Sequence, residues 1–351
     1  MTLASGAGLA LVSAALFGAS TPLAKRLLQE VDPWMLAGVL YLGSGLGLLV
    51  VVAGRRALGG PPAGESTLRG IDWLWLGLAI LAGGVAGPVL LMVGLARSPA
   101  TVAALLLNLE GVFTALLAWF VFRENFDRRI ALGMAAIVAG GLVLAWGMDR
   151  SAGGALGPLA IAGACLGWAI DNNLTRKVSL TDPVHIALLK GVSAGTVNVA
   201  IALGSGSAMP SPSTLAAAAA VGWAGYGISL VLFVLALRHI GAARTGAYFS
   251  LAPFFGALMA AALLGERLTP QLVAGGLLMA VGVWFHLTER HEHEHQHEAL
   301  EHEHRHAHDA HHQHDHDGTE PPGEPHTHWH AHAGLRHAHP HFPDVHHRHP
   351  H

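Results

Sequence analysis

The sequence predicts an all-α membrane protein of ten transmembrane helices, built as two inverted five-helix repeats and followed by a disordered histidine-rich tail. Three observations carry that prediction. Residues of the hydrophobic classes make up 52% of the 351-residue chain and charged residues only 12%, a balance outside the soluble globular range. Apolar runs long enough to cross a bilayer core, which takes about 20 residues each, recur along the first 288 residues. The first half of that region also resembles the second.

The apolar runs are read as spans at 5–28, 34–54, 72–96, 99–122, 129–148, 155–176, 183–204, 214–237, 241–264 and 270–288. The first has Lys25 and Arg26 behind it and no basic stretch ahead of it, the reverse of a cleaved secretory leader, so it is expected to be retained. Cys165, the single cysteine, lies inside the sixth span and is read as a small packing residue.

An offset of 142 residues superposes the end of the fourth span, "ALLAWFVFREN" from Ala115, on the end of the ninth, "ALMAAALLGER" from Ala257, and so places Glu124 on Glu266. The helices opening each half correspond as well: Gly18 aligns with Gly167, and Asp32-Pro33 with Asp182-Pro183. Two related halves of five helices insert in opposite senses because five is odd. Domains follow at 5–148, 155–288 and, for the tail, 289–351. With a cytoplasmic N-terminus the inner loops hold ten Lys and Arg residues and the outer loops five. That bias predicts a bacterial-type plasma membrane protein with both termini inside.

Ten spans, the five-plus-five repeat, and a Glu closing the fourth helix of each half in "FRENF" and "LGERL" resemble the EamA family of the drug/metabolite transporter superfamily. "GWAIDNNLTRKVS" is also similar to a signature of one bacterial branch of that family. The resemblance covers residues 5–288, leaves the tail out, and implies a transporter while leaving its solute unspecified.

No GxxxxGK[ST] phosphate loop is present, so a gradient-driven carrier or a facilitator is expected. No nucleophile–base pair or closed metal site occurs in the spans, which argues against an enzyme, and nothing suggests nucleic acid as a partner. The expected partners are the lipid bilayer and a small-molecule solute, with divalent metal ions at the tail, and the chain is expected to work as a monomer or homodimer.

Ionisable groups near the bilayer midplane are costly and so are candidate transport residues. Glu110 lies halfway along the fourth span beside Gly111 and two residues after Asn108, which suits a carrier of the coupling proton; its structural alternative is a buried partner for a base. Lys190 in the seventh span is the natural counter-charge. Asp171, Asn172 and Asn173 point in three directions on a helix, so only some of them can line one cavity, and Asp171 is as suited to pairing with Lys190 or Arg176 as to meeting solute. Arg244 and Tyr248 share a helix face and suit a carboxylate, although Arg244 is equally placed to snorkel to the interface. Glu124 and Glu266, at membrane edges, are read as structural. The glycine pairs Gly83/Gly87 and Gly191/Gly195 are read as close helix packing.

Of the 26 histidines, 23 lie at or after His291. Proline and charge there preclude a packed core. HxH spacing recurs, and alternate residues of an extended chain point the same way. His291, His293, His295, His297, His302, His304, His306, His308, His328 and His330 are therefore candidate ligands for Zn, Ni, Co or Cu, with no cofactor required by the helical part. Three readings stay open: a carrier of small organic metabolites or drugs with an accessory tail, a divalent-metal exporter whose tail collects ions, and a carrier regulated by pH or metal through the tail.

Overall fold

A computed structural model describes residues 3–57, 68, 70–121, 128–146, 155–175, 178, 183–287, 292–296, 300–306, 326–332 and 336–340. The chain forms two compact units, Met1–Glu289 and Arg290–His351. The first is built of helices joined by short turns and loops: α1 Leu3–Leu27, α2 Pro33–Ala57, α3 Asp72–Ala79, α4 Gly87–Arg97, α5 Ala100–Leu106, α6 Leu109–Phe120, α7 Arg128–Trp146, α8 Leu156–Thr175, α9 Pro183–Gly204, α10 Pro212–Gly222, α11 Ser229–Phe249, α12 Ala252–Leu264 and α13 Pro270–Leu287. Among the described residues seven stretches are long and apolar enough to cross a membrane, and Ala252–Leu264 and Pro270–Phe285 are shorter apolar helices.

Local chemistry sets several helix starts. Asp32 accepts the amides of Trp34 (2.9 Å) and Met35 (3.3 Å) at the head of α2, with Pro33 as the first helical residue. Ser211 does the same for α10, accepting the Thr214 amide at 3.2 Å ahead of Pro212.

The third span is interrupted by a π-helical stretch, Ile80–Ala86, that joins α3 to α4, and a second, Trp223–Ile228, joins α10 to α11. The repeat offset of 142 carries Ala82-Gly83 onto Ala224-Gly225, so the two irregular turns occupy equivalent places.

The fourth span is also broken in both halves. α5 ends at Leu106 and α6 begins at Leu109; α11 ends at Phe249 and α12 begins at Leu251's successor, Ala252. Different chemistry makes the two breaks. Asn108 turns its side-chain amide onto the Leu105 carbonyl at 2.9 Å, competing with the helical ladder. Pro253 lacks an N–H and clashes with the carbonyl four residues back, at Phe249. Continuous spans at 99–122 and 241–264 are thereby corrected to broken ones. The expected gap between spans at 238–240 is corrected too: α11 runs helically to Phe249, because no proline stands where Pro99 ends the first-half equivalent.

Contacts follow the inverted symmetry. α2 packs on α9, α7 on α13, α1 on α11 and α12, and correspondingly α8 on α4 and α6. Glycine permits the closest approaches: a Cβ on Gly191 would stand 2.8 Å from the Gly45 Cα, and one on Gly195 2.6 Å from the Leu42 amide. Gly191/Gly195 and Gly83/Gly87 therefore do pack tightly, the latter pair against Asp171 and Trp168. α1 and α11 are joined by two reciprocal bonds, Ser13 Oγ donating to the Ser229 carbonyl (2.7 Å) and Ser229 Oγ to the Ser13 carbonyl (2.9 Å).

In the unit Arg290–His351, β1 Glu292–Gln296 pairs antiparallel with β4 Arg336–Pro340, and β2 Leu300–His306 with β3 His326–His332. Extended backbone is what the described residues of the tail adopt. The reason lies in the sequence pattern: HxH repeats with a period of two, the period of a strand, and proline is kept to the end of β4.

Candidate functional site

The polar groups of the helical unit gather where α6 of the first half meets α8 and α9 of the second. Glu110 sits in the first turn of α6, just past the break, where free amides and the helix dipole favour an acid. It is half-buried, and Asn172 of α8 donates to its Oε1 at 2.8 Å. Lys190 of α9 does not serve as its direct partner. It bonds instead to Asp171 at 2.5 Å and to the Thr175 hydroxyl at 3.2 Å, while Thr175 donates to Asp171 at 2.8 Å. Glu110, Asp171 and Lys190 remain within electrostatic reach of one another.

The consequence is a division of labour among neighbouring residues of α8. Asp171 is buried and holds a base, so its charge is matched. Asn172 is exposed and meets Glu110 with a neutral amide. Asn173 is buried again, donates to the Ala169 carbonyl at 2.9 Å, and leaves its own oxygen without a partner, as does the Thr114 hydroxyl one turn beyond Glu110. The helical rotation of about 100° per residue separates these three roles.

The first π-turn packs against the same stretch of α8. Its Gly83 carbonyl accepts from Tyr41 Oη (3.0 Å) and Trp168 Nε1 (2.9 Å), and its Gly84 carbonyl accepts from Asn198 Nδ2 (3.1 Å). Side chains from α2, α8 and α9 thus satisfy carbonyls that a regular ladder would have used internally. Tyr41 is near enough to Glu110 and Asp171 to sense both charges. Gly83 has no room for a side chain against Asp171. Tyr41, Trp168, Thr175 and Asn198 were not among the sequence candidates; the recurrence of Ala82-Gly83 as Ala224-Gly225 is the signal that marks this turn.

Other candidates lie elsewhere. Asn108 is buried in the break, donating to Leu105 and toward Met279 Sδ at 3.9 Å, away from Glu110. Tyr248 packs with Leu9, Ala10 and Ala236. Arg244 is on α11, its side chain outside the described residues. His293 and His295 fall on β1, His302, His304 and His306 on β2, and His328 and His330 on β3; His291, His297 and His308 lie outside the described residues. Among the described residues no group of three His, Cys, Asp or Glu converges as a metal site.

Glu266 has a definite partner. It follows Gly265, whose φ of +66° turns the chain left-handed at the end of α12, and it accepts the amides of Ala100 (2.7 Å) and Thr101 (2.8 Å) at the head of α5. Glu124 lies outside the described residues.

The pattern of the EamA-like transporter family matches residues 4–146 and again 155–288, one match for each half of this fold. The chain belongs to that family. An uncharacterized transporter of Methanothermobacter thermautotrophicus is 28% identical over 280 residues, covering 76% of this chain and 82% of that protein. A probable 4-amino-4-deoxy-L-arabinose-phosphoundecaprenol flippase subunit, ArnE, of Pseudomonas fluorescens is 40% identical over 110 residues, 30% of this chain and 93% of that protein. A crystallised protein of 18% identity shares the fold with a TM-score of 0.59 over 80% of this chain and 97% of its own. Among EamA proteins, then, this chain is a multi-pass membrane transporter with the two-repeat architecture.

Proposed function

We propose that this EamA protein moves a small organic solute by alternating access between its two repeats, driven by an ion gradient, with Glu110 as the coupling acid. One observation carries the reading: Glu110 stands at a helix break between the repeats, its carboxylate bonded among the described residues by the neutral amide of Asn172, while Lys190 is taken by Asp171. An acid inside a membrane span, held by an amide and not by an ion pair among the described residues, is suited to exchange a cation with each cycle. The solute would be held near Glu110, Asn172, Tyr41 and Trp168. The similarity to a flippase subunit named for a lipid-linked sugar supports organic cargo over a metal ion.

The tail is proposed as an accessory that gathers Zn, Ni, Co or Cu loosely, with both termini cytoplasmic. Its support is the recurring HxH pattern.

Flux of a labelled solute panel into proteoliposomes, with and without an imposed proton gradient, tests the main reading. Glu110→Gln is expected to keep its fold while losing gradient-driven flux at least tenfold. Unchanged gradient-driven flux in that variant would remove Glu110 from coupling.

A further inference from the structure

We propose that Lys25 and Glu266 form a charged latch that closes one end of the solute pathway and is released once per transport cycle. The inference rests on the alternating-access reading and adds the gate to it.

The latch is built around a helix that cannot cap itself. Pro99 occupies the N-cap of α5 and offers no side-chain hydrogen bond. The first two amides of α5 are satisfied by Glu266, which comes from the other repeat. On the other side of the same corner, Lys25 of α1 donates to the last carbonyls of α4: Leu95 at 2.6 Å, Ser98 at 3.0 Å and Ala96 at 3.4 Å. An anion thus sits on a helix head and a cation on a helix tail, each at the favourable pole of its dipole. Lys25 and Glu266 also sense each other's charge. The Ser98 hydroxyl at this corner is buried and has no hydrogen-bond partner among the described residues.

Two further facts separate a gate from ordinary capping. The first is asymmetry between the ends. The repeat alignment puts Leu174 where Lys25 stands and Gly241 where Pro99 stands, and α11 runs helically through Gly241. Among the described residues the opposite end therefore lacks the proline-broken corner. An inverted repeat alternates access by letting its two ends differ, and here the difference is chemical. The second is reversibility. Lys25 and Glu266 are both half-buried, so water can replace the backbone groups that they release. α5 leads directly to Asn108 and Glu110, so movement at its head is transmitted to the coupling acid.

The test uses the full chain with Cys165→Ala, which removes the only native cysteine, and Ser98→Cys as reporter. A membrane-impermeant maleimide is applied to right-side-out and to inverted vesicles. With Lys25 and Glu266 intact, labelling is expected to be slow from outside. Glu266→Gln or Lys25→Met should raise the outside rate at least fivefold and lower solute flux, whereas Glu266→Asp, which keeps the anion, should sit between. A variant that has lost its fold is recognised by equal labelling from both vesicle orientations, and Glu266→Asp then decides the matter. Unchanged outside labelling in folded Glu266→Gln would overturn the latch. Labelling only in inverted vesicles would instead overturn the orientation read from loop charges, leaving the latch at the other end; loss of flux in Glu110→Gln alone concerns coupling.

Discussion

The two repeats share a backbone plan and differ in nearly all of the chemistry laid upon it. Each breaks its third span with a π-turn and its fourth with a short irregular step at equivalent places. Yet the first half breaks its fourth span with Asn108 and follows it with Glu110, whereas the second uses Pro253 and carries Ala252 in the acid's place. The corner before that span is Ser98-Pro99 under Lys25 in one half and an unbroken helix in the other. Symmetry supplies two related scaffolds, and departures from it supply the acid at the broken fourth span and, among the described residues, the charged corner at Lys25 and Glu266.

The strongest way to break this comparison is to move the acid. Combining Glu110→Ala with Ala252→Glu keeps the charge and its place in the repeat but removes the facing Asn172, and gradient-driven flux in proteoliposomes is expected to stay at least tenfold below that of the unmodified protein. Restored flux would mean that either half can host the site.

The next effect concerns the matched pair on α8 and α9. Asp171 and Lys190 are largely buried, with side chains 9% and 18% exposed. Removing one partner strands the other charge, a loss of about 3–5 kcal/mol. Asp171→Asn or Lys190→Met should therefore lower the thermal midpoint in detergent clearly, and the double variant should recover most of it. If both singles melt like the unmodified protein, Lys190 is free to serve Glu110 and the division of labour on α8 fails.

The smallest effect comes from the crossing of α1 with α11, held by Ser13 and Ser229, whose twin between α8 and α4 relies on close glycine packing instead, Gly167 facing Gly87 and the Ala82 carbonyl. Interhelical hydrogen bonds in membranes contribute about 0.6 kcal/mol each. Ser13→Ala should cost roughly that per bond lost, and Gly167→Leu more, since a Cβ there would stand 2.8 Å from the Ala82 carbonyl. Equal losses would show the two crossings to be energetically alike.

The candidate site was half legible in the sequence. Glu110, Asp171, Asn172 and Lys190 were visible because a charge or amide inside an apolar run is rare and costly. Their pairing was not, since which of two acids takes Lys190 depends on how α6, α8 and α9 are rotated and set against one another. Asn108 looked like a neighbour of Glu110 at a spacing of two, but it turns into the break and away from the acid. Glu266 looked inexpensive at a membrane edge, and its bonds to α5 cross the repeat boundary, a separation of 165 and 166 residues that no local pattern reports.

By itself the sequence determined the membrane environment, the count of spans and the inverted repeat, because hydrophobic thickness and internal similarity are properties of consecutive residues. Only the tertiary structure decided where the spans break, which charges meet, and which helix end Glu266 caps. Those outcomes depend on packing between segments far apart in the chain, where a few tenths of an ångström between glycine backbones select one neighbour over another.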